Sequence, residues 1–135
     1  MKAAAYFFFY LYVASLVVFG AVCVFTARFD QHFLYNLDTA GLGAATAASL
    51  LSQYRFFRAV ECGFGVFALM FRPAIFEQRP FNRLFLGTML GGVAARVVSL
   101  ALDGRPLPVF YGFLIIELVG GVVIFLYTRT TLQRP

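Results

Sequence analysis

Four ionisable side chains set inside apolar stretches carry whatever chemistry this sequence can do: Arg58, Glu61, Arg96 and Glu117, with Arg55 beside the first two. A guanidinium keeps its proton at any useful pH, so each arginine must find an anion, a carbonyl or water. Arg55, Arg58 and Glu61 fall at i, i+3 and i+6, on one side of a helix, and Arg58 with Glu61 makes a local ion pair. Gly92, Arg96, Ser99 and Asp103 fall at i, i+4, i+7 and i+11, a polar-leaning face of another helix. Glu117 is the natural counter-ion for Arg96. An unpaired charge at these positions would cost about 2.5–3.5 kcal/mol in a bilayer, so pairing is expected. Three arginines against two glutamates leave one positive charge over. That surplus suits a carboxylate or phosphate headgroup whose tail lies among the 18 phenylalanines.

The elements that must hold these residues are membrane spans. The chain of 135 residues is 61% hydrophobic and only 13% charged, with mean hydropathy +0.84. Soluble domains are nearer half apolar and a quarter charged. A span takes about 20 residues, so the sequence predicts an all-α polytopic membrane protein, an antiparallel bundle of four transmembrane helices in one domain. The expected spans are residues 5–27, 52–71, 81–102 and 108–128. The first run is too long for a cleaved secretory signal and reads as a retained helix. Tyr6, Tyr10 and Tyr12 suit an interfacial aromatic belt. In the third, Gly87 and Gly91 form a G-x-x-x-G pair continued by Ala95, a strip along which another helix can approach closely.

Residues 28–38 read as a polar loop holding the lone His32. Asp38 and Thr39 then cap a helix beginning near Gly41, and the small-residue stretch 41–53 lies at the interface or extends the second helix. Arg72-Pro73 ends the second span, and RPAIFEQRPFNR is an arginine-rich loop. Asp103-Gly104-Arg105-Pro106 is a tight turn. Lys2, the second loop and the tail with Arg129 and Arg134 share one side, which the positive-inside rule makes cytoplasmic, so both termini are cytoplasmic. By helical rise, Arg96 lies roughly 10 Å below the opposite surface and Glu117 about 14 Å deep. The net charge of +5 is read as topology and lipid-headgroup contact, with no nucleic-acid surface. Cys23 and Cys62 read as small buried apolar residues. No metal site and no cofactor are expected.

The small-residue third helix leading into RVVSLALDGRPLP, followed by a helix carrying Glu117, resembles the bacterial membrane family named domain of unknown function 4345. The matching positions are Arg96, Ser99, Asp103, Gly104 and Pro106, with Arg55 or Arg58 ahead of Gly63 and Gly65. The resemblance covers residues 53–127, and the D-G-x-P turn is its most specific part. It implies four transmembrane helices in the bacterial inner membrane, broadly similar to DoxX-like small membrane proteins, and it transfers no activity.

Three functions compete. The first is an intramembrane binder of an amphiphile, a lipid, fatty acid or quinone-like molecule, held by Arg55, Arg58, Glu61, Arg96, Ser99, Asp103 and Glu117 in a polar pocket open to the outer half of the bilayer. The second is an accessory or assembly subunit of a larger membrane complex. The third is an isomerase-type enzyme using Glu61 or Glu117 as acid/base. No catalytic motif supports the third, and no polar residues extend an ion path through the inner half.

Overall fold

The structure is a computed structural model that describes residues 1–132. Among them are six α-helices, one 3-10 turn and no strand: α1 Lys2–Phe25, α2 Ala27–Tyr35, the turn Thr39–Gly41, α3 Ala44–Met70, α4 Arg72–Glu77, α5 Arg79–Leu102 and α6 Pro108–Leu132. Arg134 lies outside the described residues. The fold is all-α, as expected.

Three helices, α1, α5 and α6, are long and apolar enough to cross a membrane. At most 28% of the residues in their apolar windows are buried, so most of their large side chains point outward. Phe7, Phe25, Leu102 and Ile115 are all exposed. In water that surface would aggregate; in hydrocarbon it is the solvated face. With 27 residues α3 is longer still, but it carries Arg55, Arg58 and Glu61 in its middle.

The stretches between the long helices are more helical than the sequence suggests. Residues 28–38, expected as a loop, are mostly α2. The hydroxyl of Thr26 donates to the Asp30 carboxylate one turn on at 2.8 Å, and Asn36 ends the helix in the left-handed region at φ 53°, a common C-terminal cap. Asp38 does act as a cap, but of the 3-10 turn: its carboxylate accepts from the Ala40 amide at 2.9 Å. The long helix after it begins only at Ala44, so most of the small-residue stretch is the start of α3. In RPAIFEQRPFNR, Pro73 and Pro80 sit in the first turns of α4 and α5. A missing amide hydrogen costs nothing there, so the prolines open helices and leave little loop. The Asp103–Pro106 turn is present, with Gly104 at φ +96°.

The chain divides into two compact units, residues 1–13 with those from Ala68 onward, and Ala14–Phe67. The first has a core of Phe9, Ile75, Phe76, Phe85, Met89 and Ile124. Tyr6 stacks on Phe76 with centroids 4.3 Å apart, and Phe9 packs against Phe76 and Phe85, each at 5.3 Å. α5 and α6 approach through Gly120 and Gly121: a Cβ on Gly121 would lie 2.6 Å from Leu90 Cδ2. The second unit buries Cys23, Ala27, Leu51 and Tyr54 together. Its close contact is between α1 and α3 at Gly20, where a Cβ would lie 2.6 Å from the Cys62 amide nitrogen. Gly87 and Gly91 behave otherwise: nothing stands within 4 Å of a Cβ built on either. The expected helix approach along that strip is therefore absent among the described residues, because Gly120 and Gly121 on α6 provide the small surface instead.

Candidate functional site

α5 and α6 are joined at the Asp103–Pro106 turn, which sets Arg96 and Glu117 across from one another near that end. The Arg96 Nε donates to Glu117 Oε2 at 3.0 Å and Nη2 to Oε1 at 3.2 Å, a bidentate fork. Glu117 is largely covered, at 15% side-chain exposure, while Arg96 keeps 36%. The guanidinium also sits 5.8 Å from the centroid of Phe113, within cation–π range. Phe113 is one turn before Glu117, so a single face of α6 presents both to Arg96.

Ser99 and Asp103 do not join this pair. The Ser99 hydroxyl donates to Asp103 Oδ2 at 2.8 Å, and the Asp103 amide closes the last turn onto the Ser99 carbonyl at 2.7 Å. Together they finish α5.

The Arg55–Arg58–Glu61 row lies in the other unit. Arg58 Nη1 reaches Glu61 Oε2 at 2.7 Å, the local pair expected from its spacing, and its guanidinium lies 4.9 Å from the ring centroid of Tyr54. Among the described residues Arg55 makes no ion pair; its Nε donates to the Val24 carbonyl at 3.1 Å, satisfying one of the orphan acceptors at the end of α1. The Tyr54 hydroxyl is buried and meets no hydrogen-bond partner of good geometry among the described residues.

Some polar features escaped sequence reasoning. Asp30, read as a loop residue, is 7% exposed and is held by Thr26. The signal was present in the i, i+4 spacing of a hydroxyl and a carboxylate. Asn82 and Thr128 are buried side by side: Thr128 Oγ1 donates to the Ile124 carbonyl one turn back at 2.9 Å, with Asn82 Oδ1 farther off at 3.4 Å, and Asn82 Nδ2 donates to the Ile75 carbonyl at 3.0 Å. Beside them, where α5 begins and α6 ends, lies a cavity of about 470 Å³ lined by Arg79, Arg83 and Arg129 and by Leu86, Leu90 and Phe125. Its periodic signature on α5, Arg79, Asn82, Arg83, Leu86, Gly87 and Leu90, was legible as one helix face. In α4, Arg72 donates to the Tyr10 hydroxyl, which raises the guanidinium pKa above its ordinary value.

His32 is exposed in the last turn of α2. Among the described residues no cluster of histidine, cysteine or carboxylate side chains could hold a metal ion, and both cysteines are free thiols.

The long outward-facing apolar helices and the charged pair between two of them define an all-α membrane protein. The family described as Domain of unknown function (DUF4345) matches residues 6–128, and the chain belongs to it. Neither the curated proteins nor the solved structures offer a match.

Proposed function

We propose that the chain is a four-span protein of the bacterial inner membrane, with both termini cytoplasmic, that binds the headgroup of an amphiphile at Arg96. The spans are α1, α3, α5 and α6. Support for α3 comes from its 27-residue length, more than the bilayer core requires, and from the engagement of all three of its charges. Lys2, the arginines from Arg72 to Arg83, and Arg129 then share the cytoplasmic side.

One observation carries the binding site. A guanidinium has five N–H donors, and Glu117 takes two of them. The rest of the Arg96 head is partly open and has no acceptor among the described residues. Water is scarce at that depth, so a lipid-like molecule supplying carboxylate, phosphate or carbonyl oxygen satisfies those donors. Because Glu117 already neutralises the arginine, the site selects for oxygen acceptors before net charge. Mass spectrometry of lipids carried through purification tests this reading: a species enriched in the wild type and missing from Arg96→Ala supports it, and identical lipid profiles overturn it.

A second reading, an accessory subunit of a larger membrane complex, is favoured by the open Gly87, Gly91 and Gly92, where a partner helix could approach closely. The isomerase reading gains no support, since Glu61 and Glu117 each already have an arginine as partner.

A further inference from the structure

The cavity at the start of α5 and the end of α6 contains three arginines and, among the described residues, no carboxylate. Arg79 is fixed in place, with Nε and Nη2 both donating to the Leu132 carbonyl at 3.2 and 3.0 Å. Arg83 and Arg129 are exposed and make no ion pair among the described residues. Directly beyond the arginines the wall turns apolar, through Leu86, Leu90 and Phe125. The other polar side chains lining it, Asn82 and Thr128, are buried and donate to backbone carbonyls, Asn82 to Ile75 at 3.0 Å and Thr128 to Ile124 at 2.9 Å, so the arginines are its exposed donors. We propose that this cavity seats the phosphodiester of an anionic phospholipid, with Arg79, Arg83 and Arg129 around the headgroup and an acyl chain lying along Leu86, Leu90 and Phe125.

Two observations favour a lipid over a free anion, and a third favours phosphate oxygen as the acceptor. The cations end where the apolar wall begins, which is the order of groups in a phospholipid entering from its own leaflet. The volume of about 470 Å³ is that of a small-molecule pocket and exceeds what a lone phosphate needs. Guanidinium forks also match phosphate oxygens bidentately. The bland alternative is that each arginine snorkels independently to whatever headgroups are near, as the positive-inside rule requires. Independent arginines would not form a shared concavity or discriminate among lipids. Arg83 and Arg96 are separated by roughly 20 Å along the helix, so this site is distinct from the one proposed at Arg96 and does not rest on it.

The test is a titration of the full chain in mild detergent with dioleoyl phosphatidylglycerol and dioleoyl phosphatidylcholine, followed by native mass spectrometry. The expected result is selective retention of phosphatidylglycerol. The double variant Arg83→Ala/Arg129→Ala should weaken that retention about thirtyfold, taking the usual contribution of a basic residue near an anionic surface. Arg105→Ala removes one positive charge in the turn beyond the far end of α5 and should change nothing. Gly87→Leu leaves every arginine in place and extends into open space on the cavity wall; it should weaken retention while circular dichroism stays that of the wild type. Equal retention of the two lipids, wild-type retention in Gly87→Leu, or displacement of the lipid by millimolar inorganic phosphate overturns the proposal.

Discussion

Arg96 and Glu117 meet edge to edge between two helices, two parallel hydrogen bonds of 3.0 and 3.2 Å joining a half-covered guanidinium to a nearly buried carboxylate. The geometry fixes the register of α5 against α6 and leaves the outer rim of the arginine open. One side chain thus sets the register and keeps N–H donors free of Glu117.

Breaking the pair from one side should cost more than removing it whole. Glu117→Gln leaves an uncompensated guanidinium in an apolar helix pair. It should destabilise by about 2–3 kcal/mol, below the range for fully buried pairs because Arg96 keeps contact with its surroundings. Arg96→Leu/Glu117→Leu should recover most of that loss. Reversible unfolding in mixed detergent micelles, analysed as a double-mutant cycle, reads the coupling.

Glycines should divide into two groups. At Gly20 a Cβ would meet the Cys62 amide nitrogen at 2.6 Å and the Arg58 carbonyl at 2.8 Å, backbone that cannot step aside, so Gly20→Ala should destabilise by about 1–3 kcal/mol. Gly91→Ala meets nothing and adds helix propensity, so it should be neutral or stabilising by up to about 1 kcal/mol. The same micelle unfolding assay separates them. Destabilisation by Gly91→Ala in the isolated protein would contradict the open strip.

The buried polar groups of α2 and α3 should respond in opposite directions. Thr26→Val removes the donor that holds the Asp30 carboxylate at 2.8 Å and should destabilise by about 1–3 kcal/mol, since Asp30 stays buried. Tyr54→Phe removes a buried hydroxyl with no well-formed hydrogen bond among the described residues and should be neutral or slightly stabilising. Thermal unfolding followed by circular dichroism compares the two.

Much of this was legible in the sequence because charge in an apolar helix is rare and must be answered. Arg58 to Glu61 follows from spacing alone, and Arg96 to Glu117 because Glu61 is then already taken. The Asp103–Pro106 turn was readable because glycine tolerates the positive φ that a turn needs and proline cannot continue a helix. In residues 28–38 polarity does not mean irregularity: a short helix with Thr26, Asp30 and Asn36 at its ends is polar and regular at once. Gly87 and Gly91 matched a packing motif, yet the motif describes only which surface is small. Which surface a neighbour uses depends on the other helix, and α6 offers its own Gly120 and Gly121. The basic cavity was hidden for a similar reason: Arg129 joins Arg79 and Arg83 only once α6 returns alongside α5.

Arg96 is proposed to hold the head of an amphiphile. The most direct test is quantitative lipid mass spectrometry on wild type, Arg96→Ala and Arg96→Lys purified identically in mild detergent. A bound species enriched in the wild type, lost in Arg96→Ala and partly restored by Arg96→Lys is the predicted result. The same lipid profile in all three proteins, with each still folded, would contradict it.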